Sequence, residues 1–185
     1  MPDKNEIVKV LYEAAEKGFT ALFKEHGDEH FYYCTLVMAD ATTPCMSAQS
    51  EESLKKYLED HGINASDDIF DYKWSWADSL YCAYGYEEYF GEVDKFFHEY
   101  FVTLIDSGCD DDVLEEEYQN WFDAMETVMK MLDEKGIFGS GKQREEIFVY
   151  AEESPPDDED ESYYERAKRM NPPAVYEKWL SETGA

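Results

Sequence analysis

Basic residues are scarce in this chain. Its 16 Lys and Arg, three of them Arg, stand against 44 Asp and Glu, a formal net charge of −28 over 185 residues. That deficit excludes nucleic acid and an anionic membrane surface as direct partners, because both are held by a basic footprint. Cysteine is scarce too. The four present (Cys34, Cys45, Cys82, Cys109) are widely spaced and form no C-x-x-C pair. A secreted disulfide framework is therefore not expected, and all four are read as free thiols of a reducing cytoplasm. Long apolar runs are missing: none approaches the roughly 18 residues of a membrane span. Met1-Pro2-Asp3-Lys4-Asn5-Glu6 runs straight into an amphipathic segment, without the pattern of a cleavable signal.

Aromatic residues are plentiful: 15 Tyr, 11 Phe and 4 Trp make up 16% of the chain. Highly charged disordered chains are poor in aromatics, so this one is expected to fold. Its length suits one domain over residues 1–185.

Ile7, Leu11, Ala14, Ala15, Gly18, Phe19 and Leu22 recur at helical spacing and predict a helix over about residues 3–25, ended near Gly27. Phe31 to Met38 alternates and is rich in Tyr, Val and Thr, which predicts a strand. Thr43-Pro44 turns into a second short strand through Cys45 to Ala48. Ser50 caps a helix carrying Leu54, Tyr57 and Leu58 and stopped at Gly62. The alternation of Phe70 to Trp76 predicts a third strand with one aromatic face.

Val93 to Leu104 and Leu114 to Leu132 read as two helices, Ile147 to Ala151 as a fourth strand. Pro155-Pro156 opens an acid run, giving an acidic surface loop near 152–162. Two short helices, around Tyr163–Met170 and after Asn171-Pro172-Pro173, form the C-terminal tail. The expected architecture is α+β: an about four-stranded, mostly antiparallel sheet packed by several helices.

Several motifs resemble active sites without the context these need. Gly136-Ile137-Phe138-Gly139-Ser140-Gly141-Lys142-Gln143 is one residue from a Walker A loop. Gln143 stands where a hydroxyl must hold Mg²⁺, and the loop leaves a helix for a strand, the reverse of a phosphate loop. His26-Gly27-Asp28-Glu29-His30 matches H-x-x-E-H in letters, but Gly27-Asp28 ends the helix on which both histidines would have to sit. Asp110, Asp111, Asp112, Glu115, Glu116 and Glu117 lack the register of a calcium loop and suit a helix N-terminus instead. No catalytic residue, metal ligand or cofactor is predicted.

Tyr72-Lys73-Trp74-Ser75-Trp76-Ala77-Asp78, Gly136 to Gly141 with the following Arg144-Glu145, and Ala167-Lys168-Arg169-Met170-Asn171-Pro172-Pro173 resemble the signatures of a bacterial family known only as domain of unknown function 4303. The resemblance covers nearly the whole chain. It implies a small cytoplasmic α+β protein with no established activity, of a general type similar to the immunity proteins of polymorphic toxin systems.

Residues 106–117 hold seven acids and residues 145–161 nine, with no base in either. Such a field steers encounter with basic proteins. The expected function is therefore non-enzymatic: an acidic binding protein, an immunity-type inhibitor of a basic toxin domain. The residues expected to meet the partner are Asp110, Asp111, Asp112, Glu115 and Glu116, then Asp157, Asp158 and Asp160, with Trp74 and Trp76 as aromatic anchors. A nucleic-acid mimic, an uncharacterised enzyme and a small structural or regulatory domain are the alternatives.

Overall fold

The computed structural model describes residues 3–39, 42–64, 69–155 and 161–183. Helix α1 (Lys4–Glu25) starts in a capping box: Asp3 accepts from the backbone N–H of Asn5, and Glu6 reaches back to Asp3 N. It buries the predicted stripe from Ile7 to Leu22. Gly18 lies so close to Met46 Sδ on the sheet that any Cβ there would clash.

The sheet is built from β1 (Phe31–Ala39), β2 (Cys45–Ser50) and β3 (Phe148–Ser154), in the order β2-β1-β3. Strand β2 runs antiparallel to β1, with Leu36 opposite Met46. Strand β3 runs parallel to it, with Tyr33 opposite Phe148 and Val37 opposite Glu152. The expected four-stranded, mostly antiparallel sheet is thus corrected to a mixed sheet of three strands among the described residues. Pairing across more than a hundred residues of intervening chain leaves no local trace. What betrays it is burial: β1 is covered on both faces from Tyr32 to Met38, as the centre of a layered sheet must be.

The expected third strand is the helical turn α3 (Phe70–Lys73). Its neighbourhood uses side chains where a strand would use a ladder. Tyr32 Oη donates to the Lys73 carbonyl (2.9 Å), Ser47 Oγ to that of Trp76 (2.9 Å), and Ser79 Oγ to that of Ala48. With its backbone groups satisfied that way, the aromatic segment crosses the sheet instead of joining it.

Helix α2 (Glu51–His61) is capped by Ser50, whose Oγ accepts from Ser53 N at 2.9 Å, and stops at Gly62 with φ +68°. Helices α4 (Tyr86–Tyr89), α5 (Gly91–Phe97) and α6 (Thr103–Asp106) follow. A π turn at His98–Val102 joins α5 to α6 and interrupts the continuous helix expected from Val93 to Leu104. Helix α7 (Asp111–Glu134) then leads through the Gly-rich loop into β3, and α8 (Glu161–Met170) and α9 (Pro173–Thr183) close the chain.

Alternation along the strands sorts their side chains onto two faces. Leu36, Met46 and Val149 look towards α1 and α7; Tyr33, Ser47, Phe148, Tyr150 and Glu152 look towards α3, α8 and α9. Strand β3 continues through Ser154, so residues 152–154 of the acidic loop expected near 152–162 are strand and Glu152 is buried, while residues 156–160 lie outside the described residues.

The outer edge of β3 is closed by a side chain. Asn171 Oδ1 accepts from Val149 N and its Nδ2 donates to Val149 O, both at 2.8 Å, as a neighbouring strand would. Arg144 meets it there, donating to Asp133 Oδ1 (2.6 Å), Ile147 O (2.5 Å) and Met170 O (3.0 Å). Arg144, just after the Gly-rich turn, and Asn171 of Asn-Pro-Pro are both buried and clamp the two most specific signature segments together. Their role here is structural.

Candidate functional site

Asp110 precedes α7, Asp111 and Asp112 occupy its first turn, and Glu115 and Glu116 lie one turn on. All five are exposed, and none makes an ion pair with a described residue. Asp111 and Glu115 flank an open groove of about 480 Å³ whose apolar lining is Phe101, Ile105, Leu114 and Tyr118. Glu153 of β3 adds a third acid, and Ile105 is 42% exposed. The next acid, Glu117, turns inward beside Trp121, where burial raises its carboxyl above the ordinary range. Asp157, Asp158 and Asp160 lie outside the described residues.

Trp74 and Trp76 are half-buried and stand on the opposite side of the sheet from the groove, so the structure does not gather them with the α7 acids. The Trp74 ring meets Tyr32 edge-on at 5.5 Å and Phe148 at 5.7 Å, and its Nε1 donates to Glu182 Oε2 (3.1 Å). Trp76 offers its carbonyl to Ser47. Trp74 is thereby built into the fold rather than presented as a protruding anchor.

The two misleading motifs, far apart in sequence, line one cavity of about 290 Å³ between the His26–Phe31 loop and Gly136–Ile147. The polar side chains His26, Glu29 and His30 are tied to the scaffold. Glu29 accepts from Tyr81 Oη (2.5 Å) and Ser50 Oγ, and His26 Nδ1 lies 3.1 Å from Glu29 Oε1. His30 turns away to Glu52, whose carboxylate raises its pKa. No group of three or more metal-ligating side chains converges among the described residues. The Gly-rich loop does run from helix to strand, through a 3₁₀ turn at Arg144–Glu146.

Cys34, Cys45 and Cys82 are held away from the reactive thiolate form by burial. Burial pushes the Cys45 thiol up to about 12 and that of Cys34 further.

A fourth feature escaped the sequence reading. Between the sheet and helices α3, α8 and α9 lies a cavity of about 200 Å³ walled by Tyr33, Trp74, Phe148, Tyr150, Tyr163 and Trp179. Phe148 stacks on Trp179 at 4.9 Å, and Tyr150 meets Tyr163 edge-on at 5.4 Å. Glu152 opens into it, 7% exposed, accepting a short hydrogen bond from Tyr33 Oη. Burial pushes its carboxyl up to about 8. The signal was present: Phe148, Tyr150 and Glu152 share one parity in β3, so a carboxylate stands in phase with two buried aromatics.

No helix among the described residues is long and apolar enough to cross a membrane. No curated protein and no solved structure matches the chain. A family model described as a domain of unknown function (DUF4303) matches residues 11–172, and the chain belongs to that family.

Proposed function

We infer that this is a non-enzymatic binding protein of a bacterial cytoplasm, an immunity-type inhibitor that captures a basic amphipathic segment of a toxin domain. The observation that carries this reading is the groove at the start of α7. It offers an apolar lining of Phe101, Ile105, Leu114 and Tyr118 beside Asp111 and Glu115, neither of which makes an ion pair with a described residue. An apolar face bordered by Lys or Arg complements it in both respects. The surrounding field of the −28 chain would steer encounter, and the apolar contacts would set the lifetime of the complex.

The test uses a fluorescent amphipathic peptide of Leu and Lys at helical spacing, measured by stopped flow at low and high salt. Association should slow by about tenfold or more in high salt, and by a similar factor in the double variant Asp111→Lys/Glu115→Lys. Ile105→Ala should act mainly on dissociation. Binding indifferent to both salt and charge reversal would sink the reading.

A further inference from the structure

We propose that the aromatic pocket across the sheet from the groove binds an alkylated ammonium head group, with Glu152 as its counter-charge. The inference is independent of the groove, which shares none of its residues.

Three properties of the pocket select this chemistry. Six aromatic rings from β1, β3, α8, α9 and the segment after α3 surround one small space, and the faces of such rings attract cations. Its volume of about 200 Å³ is slightly above that of the engineered cavity that admits benzene, about 150 Å³. A head group fits; a drug-sized ligand does not.

The lining is also one-signed. Glu152 and Asp71 carry the ionisable carboxyls, and no Lys, Arg or His among the described residues lines the space. Lys73 Nζ sits 5.5 Å from the Trp74 ring centroid, but it is paired with Glu182 (2.8 Å) and stays outside.

The hydrogen-bonding groups distinguish between cations. Trp74 Nε1 is committed to Glu182, Tyr33 Oη to Glu152, and Tyr150 Oη to the Tyr163 carbonyl at 2.9 Å. These three donors are thus spent inside the wall. A guanidinium would find acceptors for its five N–H donors only at the two carboxylates and the Tyr oxygens, not on the ring faces that make up most of the lining. An ammonium whose hydrogens are replaced by methyl groups asks for none, only for ring faces and one negative charge. Phe70, Asp71 and Thr183 are the exposed members of the lining and mark the mouth. A head group can enter there on the tether of a free small molecule or of a methylated lysine side chain.

Glu152 gives the site a pH signature. Empty, its carboxyl is held up at about 8 by burial, and a bound cation favours the ionised form. The groups facing it are Tyr33 on β1, Tyr150 on its own strand, Tyr163 on α8 and Asp71 on α3, with Cys45 on β2 close enough to feel its charge. Burial holds Tyr33, Tyr150 and Cys45 uncharged across the neutral range. Affinity should therefore tighten by about tenfold or more from pH 6 to pH 9.

The experiment titrates the full chain with choline, its neutral isostere 3,3-dimethylbutan-1-ol, and paired peptides carrying trimethyl-lysine or unmodified lysine, following Trp fluorescence and heat. Choline should bind about tenfold or more tighter than the neutral alcohol. The trimethyl-lysine peptide should bind tighter than the unmodified one. Peptide binding without choline binding would identify a modified protein as the source, and the reverse a free metabolite. Glu152→Gln, close in shape, should weaken choline at pH 9 and remove the pH dependence. Thr183→Trp, at an exposed mouth position, should abolish binding while the unfolding curve stays native. Equal affinity for choline and the alcohol would overturn the proposal. So would an unaffected Glu152→Gln, binding that survives Thr183→Trp, or no binding of either methylated ligand.

Discussion

Glu152 and Glu153 are neighbours in β3 that open on opposite sides of the sheet. The first enters a narrow-mouthed aromatic pocket beneath α8 and α9; the second borders an open groove under α7. The pocket sets a single carboxylate in rings, with Tyr33 as its hydrogen-bond donor. The groove sets several carboxylates around apolar side chains in contact with water. A net charge of −28 describes both and distinguishes neither. In the pocket desolvation dominates, and the acid resists ionising. At the groove solvent screens each charge, and the acids act together over roughly the 8 Å Debye length of physiological salt.

The comparison depends on β3 holding the two sides apart, so the largest effect should come from loosening its outer edge. Asn171→Ala removes the partners of Val149 N and O, as well as a bond to the Ala167 carbonyl (2.9 Å). Leaving buried main-chain groups unpaired should cost about 3 kcal/mol in urea denaturation. Hydrogen exchange should show the loss first in β3. A change below about 1 kcal/mol would mean that the edge is held by other means.

The next effect is confined to the pocket side. Glu152 is raised from 4.5 to about 8 in the folded chain, so the native state binds the extra proton between those values. The stability this confers is complete below pH 4.5 and is lost as pH rises through 8. Against Glu152→Gln, which cannot ionise, the native chain should lose on the order of 3 kcal/mol between pH 5 and pH 8. Parallel stability–pH curves for the two proteins would show that Glu152 ionises freely and that the pocket is wet.

Much of this contrast was legible along the chain, and its limits have physical causes. The burial stripe of α1, the Ser50 cap, the Gly62 stop and the α7 apolar stripe are local, set by periodicity and capping within a few residues. The acids at the start of α7 were legible for the same reason. Parallel β1–β3 pairing depends on contacts between residues more than a hundred positions apart. The aromatic segment misled because Tyr72, Trp74 and Trp76 alternate like a strand while Tyr32, Ser47 and Ser79 satisfy its neighbourhood from outside. Trp74, an expected aromatic anchor, stands in the wall of a pocket. Its companions Tyr33, Tyr150 and Trp179 come from three elements, so no window of sequence contains the site.

The smallest effect on stability should come from the groove, although its acids are the more numerous. In Asp111→Lys/Glu115→Lys the first turn of α7 loses the favourable charge–dipole contact of Asp111, worth about 0.3–1 kcal/mol where exposed. The same change lowers the net charge from −28 to −24, since each reversal adds two, and relieves repulsion across the whole chain. The two terms oppose each other, so urea denaturation in moderate salt should place the variant within about 1 kcal/mol of the native chain. Added salt should narrow the gap further, because both terms are screened. The double variant would then be a clean instrument: folded, slower to meet the Leu–Lys peptide, and unchanged in the pocket across the sheet. A loss of several kcal/mol would show instead that these acids hold α7 in place and are not free to serve a partner.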